Sequence, residues 1–341
     1  MRFLTATGLG LTLLVNASVL LIGQSSATAR EQLLTASPQS TGFTGVTVAN
    51  VDDLPVLEGE AIQEGAAVQN EAITPPPSSS TSGPANSPAS VPASDPATTD
   101  ETLEQSQQLV QQAIAEHQRG NYAEAVTLWQ QILSTYPNNP VGHNSLGNAL
   151  SALGQMDEAE SAYRSAIRLS PDEPISYYNL GTLLAKQNRV EEAIAAYQTV
   201  VQLNPDDADA YYNIGYWQTR QRRLEAAEAA YQMAAQIDPA DAGIQYSLGV
   251  VLRNRGKTTE AEQAFRRTIA LDPNYVDGYH YLSLILIDQG RLTDAESTLR
   301  EAIRQIPNDP ELYQSLAVVL HRQGRRSESQ AIYEQAILLG G

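Results

Sequence analysis

The chain has no cysteine in 341 residues. Disulfides, thiolate nucleophiles, thiolate metal sites and a lipid-modified N-terminal cysteine are therefore excluded. Basic residues are scarce: 21 Lys and Arg stand against 39 Asp and Glu, a net charge of −18. Affinity for nucleic acid comes chiefly from neutralising phosphates, so so acidic a chain is a poor candidate for it. There are only four histidines, His117, His143, His280 and His321, well separated and forming no metal-binding pair. No phosphate-cradling glycine loop and no catalytic constellation occurs. Nothing here implies a cofactor, and an enzyme or carbohydrate-binding protein has no motif in its favour.

What the sequence does have is a proline at a fixed interval of 34 residues: Pro137, Pro171, Pro205, Pro239, Pro273 and Pro307. A period of that size means one supersecondary unit, repeated and stacked. Counted back from the prolines, the units are 106–139, 140–173, 174–207, 208–241, 242–275, 276–309 and 310–341. Position 7 is Leu146, Leu180, Ile214, Leu248, Leu282 and Leu316 in units 2 to 7. Position 8 is always small: Ala113, Gly147, Gly181, Gly215, Gly249, Ser283, Ala317. Position 20 is Ala125, Ala159, Ala193, Ala227, Ala261 and Ala295, then Ser329. Position 24 is large: Trp129, Tyr163, Tyr197, Tyr231, Phe265, Leu299, Tyr333. Apolar positions 4, 7, 8 and 11, and again 20, 24, 27 and 28, have helical spacing, so each unit is predicted to be two antiparallel helices, A then B. Small residues at 8 and 20 let the two backbones approach, and the ring at 24 fills the gap between neighbouring pairs. Gln112, Glu116 and Gln218 stand where apolar residues are expected. His143 occupies core position 4, which predicts a packed histidine.

This pattern over about 106–341 resembles the tetratricopeptide repeat (TPR). The resemblance implies an all-α, right-handed solenoid of seven helix pairs, with function in binding rather than catalysis.

The turns agree. Gly120, Gly154, Gly256, Gly290 and Gly324 follow helix A, where a left-handed residue closes a helix. Asn188 is an acceptable substitute there, and Arg222 is not an obvious one. Past the prolines come Asn138-Asn139-Pro140, Asp172-Glu173-Pro174 and Asn308-Asp309-Pro310, read as N-caps followed by proline in the first turn. Cations cluster at Arg220, Arg222, Arg223, at Arg253, Arg255, Lys257 and at Arg322, Arg325, Arg326. Either they complement the helix macrodipole or they form a basic binding edge.

The first hundred residues differ in kind. Arg2, an apolar run at 4–23 and Ala27-Thr28-Ala29 read as an export signal over 1–29, with a retained membrane anchor as the alternative. Either way the repeats are expected outside the cytoplasm, in the periplasm or beyond. Residues 30–100, rich in Pro, Ser and Thr and acidic, read as a disordered linker ahead of a repeat domain at 101–341.

In TPR proteins helix A lines the concave surface, so the resemblance implies a groove built from positions 2, 5, 6, 9, 12 and 13. Position 5 carries Tyr178, Tyr212, Tyr246 and His280, with Tyr216 at position 9. These are either an aromatic stripe or rings packed between adjacent A helices with only their hydroxyls wet. Asn179 and Asn213 at position 6, flanked by Ser145 and Ser247, look like a short piece of the asparagine ladder in O-GlcNAc transferase solenoids. There the amides grip a peptide main chain, but those enzymes' catalytic domain has no counterpart in this sequence. Lys186, Arg220 and Arg322 at position 13, with Arg253 at position 12, could meet carboxylates. The chaperone-binding TPR clamp has Lys at position 5 and Asn at 9. Here successive units hold Asn144 and Asn148, Tyr178 and Thr182, Tyr212 and Tyr216, so the lysine is missing and that activity is not carried over.

The sequence is thus read as an exported adaptor that binds a protein or peptide segment and helps assemble a complex in a bacterial envelope. The rival is a structural solenoid that self-associates through its last unit, where Ile337-Leu338-Leu339 lacks a polar cap.

Overall fold

The computed structural model describes residues 100–340, with side chains from Gln105 onward. The expected export segment at 1–29, its apolar run at 4–23 and the linker as far as Thr99 lie outside the described residues. Fourteen helices and no strand make up the described residues. The A helices are α1 (Asp100–Gln118), α3 (Pro140–Ala152), α5 (Pro174–Lys186), α7 (Ala208–Arg220), α9 (Ala242–Asn254), α11 (Val276–Asp288) and α13 (Pro310–Arg322). The B helices are α2 (Tyr122–Thr135), α4 (Met156–Leu169), α6 (Val190–Leu203), α8 (Leu224–Ile237), α10 (Thr258–Leu271), α12 (Leu292–Gln305) and α14 (Arg326–Gly340). No helix among the described residues is long and apolar enough to cross a membrane.

Each spaced proline directly follows the C-cap residue of a helix B, and at Asn204 and Asp272 that residue turns extended. The steric demand of proline on the residue before it accounts for that backbone. Asn139, Asp207, Asp241 and Asp309 then accept hydrogen bonds from the first-turn N–H groups of the next A helix. Glu173 and Tyr275 occupy the same place without a side-chain cap. At the A-to-B turns the five glycines adopt φ between 73° and 82°, and Asn188 adopts 61°. Arg222 takes the same left-handed conformation at 58°, so the register of the repeat overrides the side chain's preference.

Packing within a pair is set by positions 8 and 24. A Cβ added to Gly147 would lie 2.6 Å from Cε1 of Tyr163, and one added to Gly249 would lie 2.8 Å from Cε1 of Phe265. The ring therefore rests on the glycine backbone of its own helix A, in addition to filling the gap to the next pair, where Phe265 stacks on Tyr281 at 5.3 Å. Trp129, Tyr197, Tyr231 and Phe265 are fully buried. His143 is only half-buried; its imidazole bonds the Pro137 carbonyl at 2.8 Å, as Tyr313 bonds Pro307. Gln218 is buried at its apolar position.

Successive A helices touch one another (α3 with α5, α7 with α9, α11 with α13), and no successive B helices do so to that extent. The stack bends with its A helices inward.

Candidate functional site

The inner face is knitted by a polar ladder that runs from position 5 of one A helix to position 6 of the next. Asn179 donates through Nδ2 to Oδ1 of Asn144 at 3.0 Å. Asn213 donates through Nδ2 to the Tyr178 hydroxyl at 3.0 Å and to the Asp209 carbonyl at 2.8 Å. Tyr212 pairs with Ser247, Tyr246 with Tyr281, and His280 Nδ1 with the Ser315 hydroxyl at 3.2 Å. The position 5 rings also stand edge-on to the position 24 rings of their own repeats: Tyr178 on Tyr197 and Tyr212 on Tyr231, both at 5.5 Å. Burial pushes the Tyr212 phenol up to about 12 and raises Tyr178 and Tyr246 as well. Burial lowers His280, so its ring stays neutral at neutral pH.

This corrects part of the expected groove. Asn144 (4% exposed), Tyr212 (6%), Tyr216 (6%) and Tyr246 (3%) are buried, so they do not form an accessible stripe. They pack on their own helix B as well as between A helices, which is the second of the two readings, extended. Tyr178, Asn179, Asn213 and His280 are half-exposed, with polar groups engaged by the neighbouring repeat. The asparagines thus hold repeat to repeat.

What remains accessible lies toward the C-terminal ends of the A helices. Asn148 is half-buried and accepts from the Tyr163 hydroxyl at 2.8 Å. It lines a cavity of about 60 Å³ with Ile114, His117, Gln118, Trp129 and Ser145. Lys186 is exposed. Arg220 is exposed, with its guanidinium 5.9 Å from the Tyr216 ring centroid and 5.8 Å from that of Trp217. Arg253 lies over Tyr281 at 5.6 Å. Among the described residues none of these three cations forms an ion pair. The N-terminal ends of the same helices carry Asp207, Asp241, Asp277, Asp309 and Glu311, where burial raises the pKa of Asp277 and Glu311.

The remaining cations are corrected too. Arg189, Arg223, Lys257, Arg291 and Arg325, at position 16, are the N-cap residues of the B helices, where a positive charge opposes the macrodipole. Each is held by carboxylates instead. Arg189 reaches Glu160 of the preceding repeat at 2.5 Å, Lys257 reaches Glu228 at 2.7 Å, Arg291 reaches Glu262 at 2.9 Å and Arg325 reaches Glu296 at 2.6 Å. Arg255 joins Lys257 on Glu228. Where position 21 is Ile194, Arg223 turns to Glu191 at 2.6 Å. The staple was readable as a repeated Arg at 16 and Glu at 21, one repeat apart. Neither dipole matching nor a basic edge accounts for these residues.

Among the described residues no group of three or more His, Asp or Glu is placed to hold a metal. Two family profiles match the sequence: one described as Cilia and flagella-associated protein 70 C-terminal domain, over residues 85–311, and one described as tetratricopeptide repeat, over 286–339. No curated protein matches the chain in sequence. Among solved structures, the C-terminal part of a TPR repeat-containing protein from Cytophaga hutchinsonii is similar, with a TM-score of 0.56 at 17% identity, covering 67% of this chain and 93% of its own. A tetratricopeptide repeat protein from Parabacteroides merdae gives 0.50 at 18% identity, covering 70% and 94%. Pseudomonas aeruginosa pilF gives 0.50 at 17% identity, covering 60% and 93%.

Proposed function

The chain belongs to the tetratricopeptide repeat family, and on that premise we propose that it is a non-catalytic scaffold that holds a segment of a partner protein against the inner face of its A helices. The observation that carries this reading is the division of charge on that face. Positions that fix the stack are buried or half-buried and mutually bonded, while Lys186, Arg220 and Arg253 stand without ion partners. Cations on this face that lack an anion of their own are the ones left to meet one on a ligand. Half-exposed apolar side chains at position 9, Leu284 and Val318, supply contact area beside them.

The setting proposed is a bacterial envelope, reached through the signal at 1–29 and serving complex assembly. The support is the charge, apolar run and small-residue pattern of that segment. N-terminal sequencing of protein from its native host checks it: a chain beginning at Arg30 is expected, and an intact Met1 with the protein in the cytoplasm contradicts it.

Co-purification tests the groove. A variant with alanine at Lys186, Arg220, Leu284 and Val318 is expected to lose partners that the wild type retains. Undiminished recovery would refute the reading. The exposed Ile337 and Leu338 (83%) favour a second reading, pairing of two copies. Light scattering would then show a dimer that Leu338→Glu dissolves; a monomer at high concentration rejects it.

A further inference from the structure

Two sets of cations in this domain contrast with each other. Those at position 16 each face a carboxylate, and most of those carboxylates belong to the repeat before. Lys186, Arg220 and Arg253, at the C-terminal ends of α5, α7 and α9, face none. Residues 101–341 hold 19 bases and 30 acids, so carboxylates are in excess and lack of partners is not a matter of supply. The two arginines are also pre-positioned. Arg220 lies over two rings and donates to the Tyr216 hydroxyl at 3.3 Å, one of the five N–H donors of a guanidinium. Arg253 lies over Tyr281. Rings that hold a planar cation in place reduce the side-chain ordering that binding must otherwise impose. At the other ends of these helices the N-cap residues Glu173, Asp207 and Asp241 make the facing rim negative.

We infer that repeats 3 to 5 bind an acidic segment of a partner protein, its carboxylates meeting Lys186, Arg220 and Arg253 and its uncharged edge turned to the acidic rim. A basic segment meets the wrong rim first, and a neutral one leaves the three cations without anions. The inference rests on the groove reading above and adds the chemistry of the partner.

The test pans a displayed random dodecapeptide library on the full chain. Enriched peptides are then made synthetically and measured by fluorescence anisotropy and cross-linking mass spectrometry. Enrichment in Asp and Glu is expected. Binding should weaken about tenfold or more in Lys186→Glu/Arg220→Glu/Arg253→Glu and fall with added salt, as electrostatic contacts do. Lys186→Glu alone, at an exposed side chain, should give a smaller loss, and guards against misfolding of the triple variant. Arg168→Glu on the outer helix α4 should change nothing. Neutral or basic peptides that cross-link to A helices and ignore the charge reversals would overturn the acidic segment and leave the groove standing. Peptides that cross-link only to B helices would overturn the groove. No enrichment at all would count against both.

Discussion

Replacing Arg222 with glycine should make the protein more stable. Arg222 is the one repeat-turn residue that is neither glycine nor asparagine, yet its φ is 58°. Holding an L-residue in the left-handed region costs about 1–2 kcal/mol. Glycine avoids that penalty but gives up more backbone freedom on folding, about 0.5–1 kcal/mol. The difference favours Arg222→Gly by about 0.5–1 kcal/mol. Little is lost in exchange, since Arg222 is exposed and forms no ion pair among the described residues. For a domain of this size about 2–4 °C accompanies each kcal/mol, so Tm should rise by about 1–4 °C in calorimetry. Gly290→Ala is the reciprocal probe: its φ is 73° and an added Cβ would meet nothing within 4 Å, so only the backbone term acts. It should lower Tm by a similar amount. A Tm for Arg222→Gly that is unchanged or lower, beside a normal loss for Gly290→Ala, would mean that the arginine side chain stabilises the turn in its own right, and the reasoning would fail.

Gly147→Ala places a Cβ 2.6 Å from the Tyr163 ring and should cost about 1–2 kcal/mol net of alanine's better helix propensity, read in urea unfolding. Glu228→Ala removes the carboxylate that Arg255 and Lys257 share, leaving Arg255 only the exposed Glu225 at 3.2 Å; because those two cations are 22% and 38% exposed, the loss should be about 1–2 kcal/mol, less than for a fully buried pair. Burial acts to raise the carboxyls of Glu160, Glu228 and Glu296, but hydrogen bonds from their arginine, lysine and glutamine partners outweigh it and hold them below the ordinary value. A depressed folded-state pKa contributes stability that is complete above the unfolded value and lost as pH falls through the folded one. Thermal stability should therefore hold at neutral pH and decline below about pH 4, and the Glu228→Ala variant should decline less steeply. Tyr231→Ala empties a fully buried site between α7 and α8 and should cost about 3–5 kcal/mol, with proteolysis mapping to repeat 4.

The scaffold was legible because it repeats. Glycine at 8 against a ring at 24, alanine at 20 and proline at 32 each answer one steric demand, posed in every unit, and the helices fall where that spacing puts them. The groove was less legible because exposure is not a property of position alone. Asn144 and Tyr212 sit on the inward face by helical spacing, but the next A helix lies close enough to bury them and take their hydrogen bonds. Position 5 meets position 6 one repeat on, a relation of 35 residues that a 34-residue alignment hides. The charge staple was missed for a similar reason. Lys257 and Arg325 cluster in sequence with the helix that precedes them, whereas their partners, Glu228 and Glu296, belong to the repeat before.

The most direct measurement of the central claim is site-specific photo-cross-linking of the full chain in its native host. A benzophenone amino acid at Thr182, Lys186 or Leu284 probes the inner face; one at Gln198 or Gln232, exposed on B helices, probes the outer. The account predicts adducts with a partner protein from the inner positions and none from the outer. Adducts from Gln198 and Gln232 alone would contradict it.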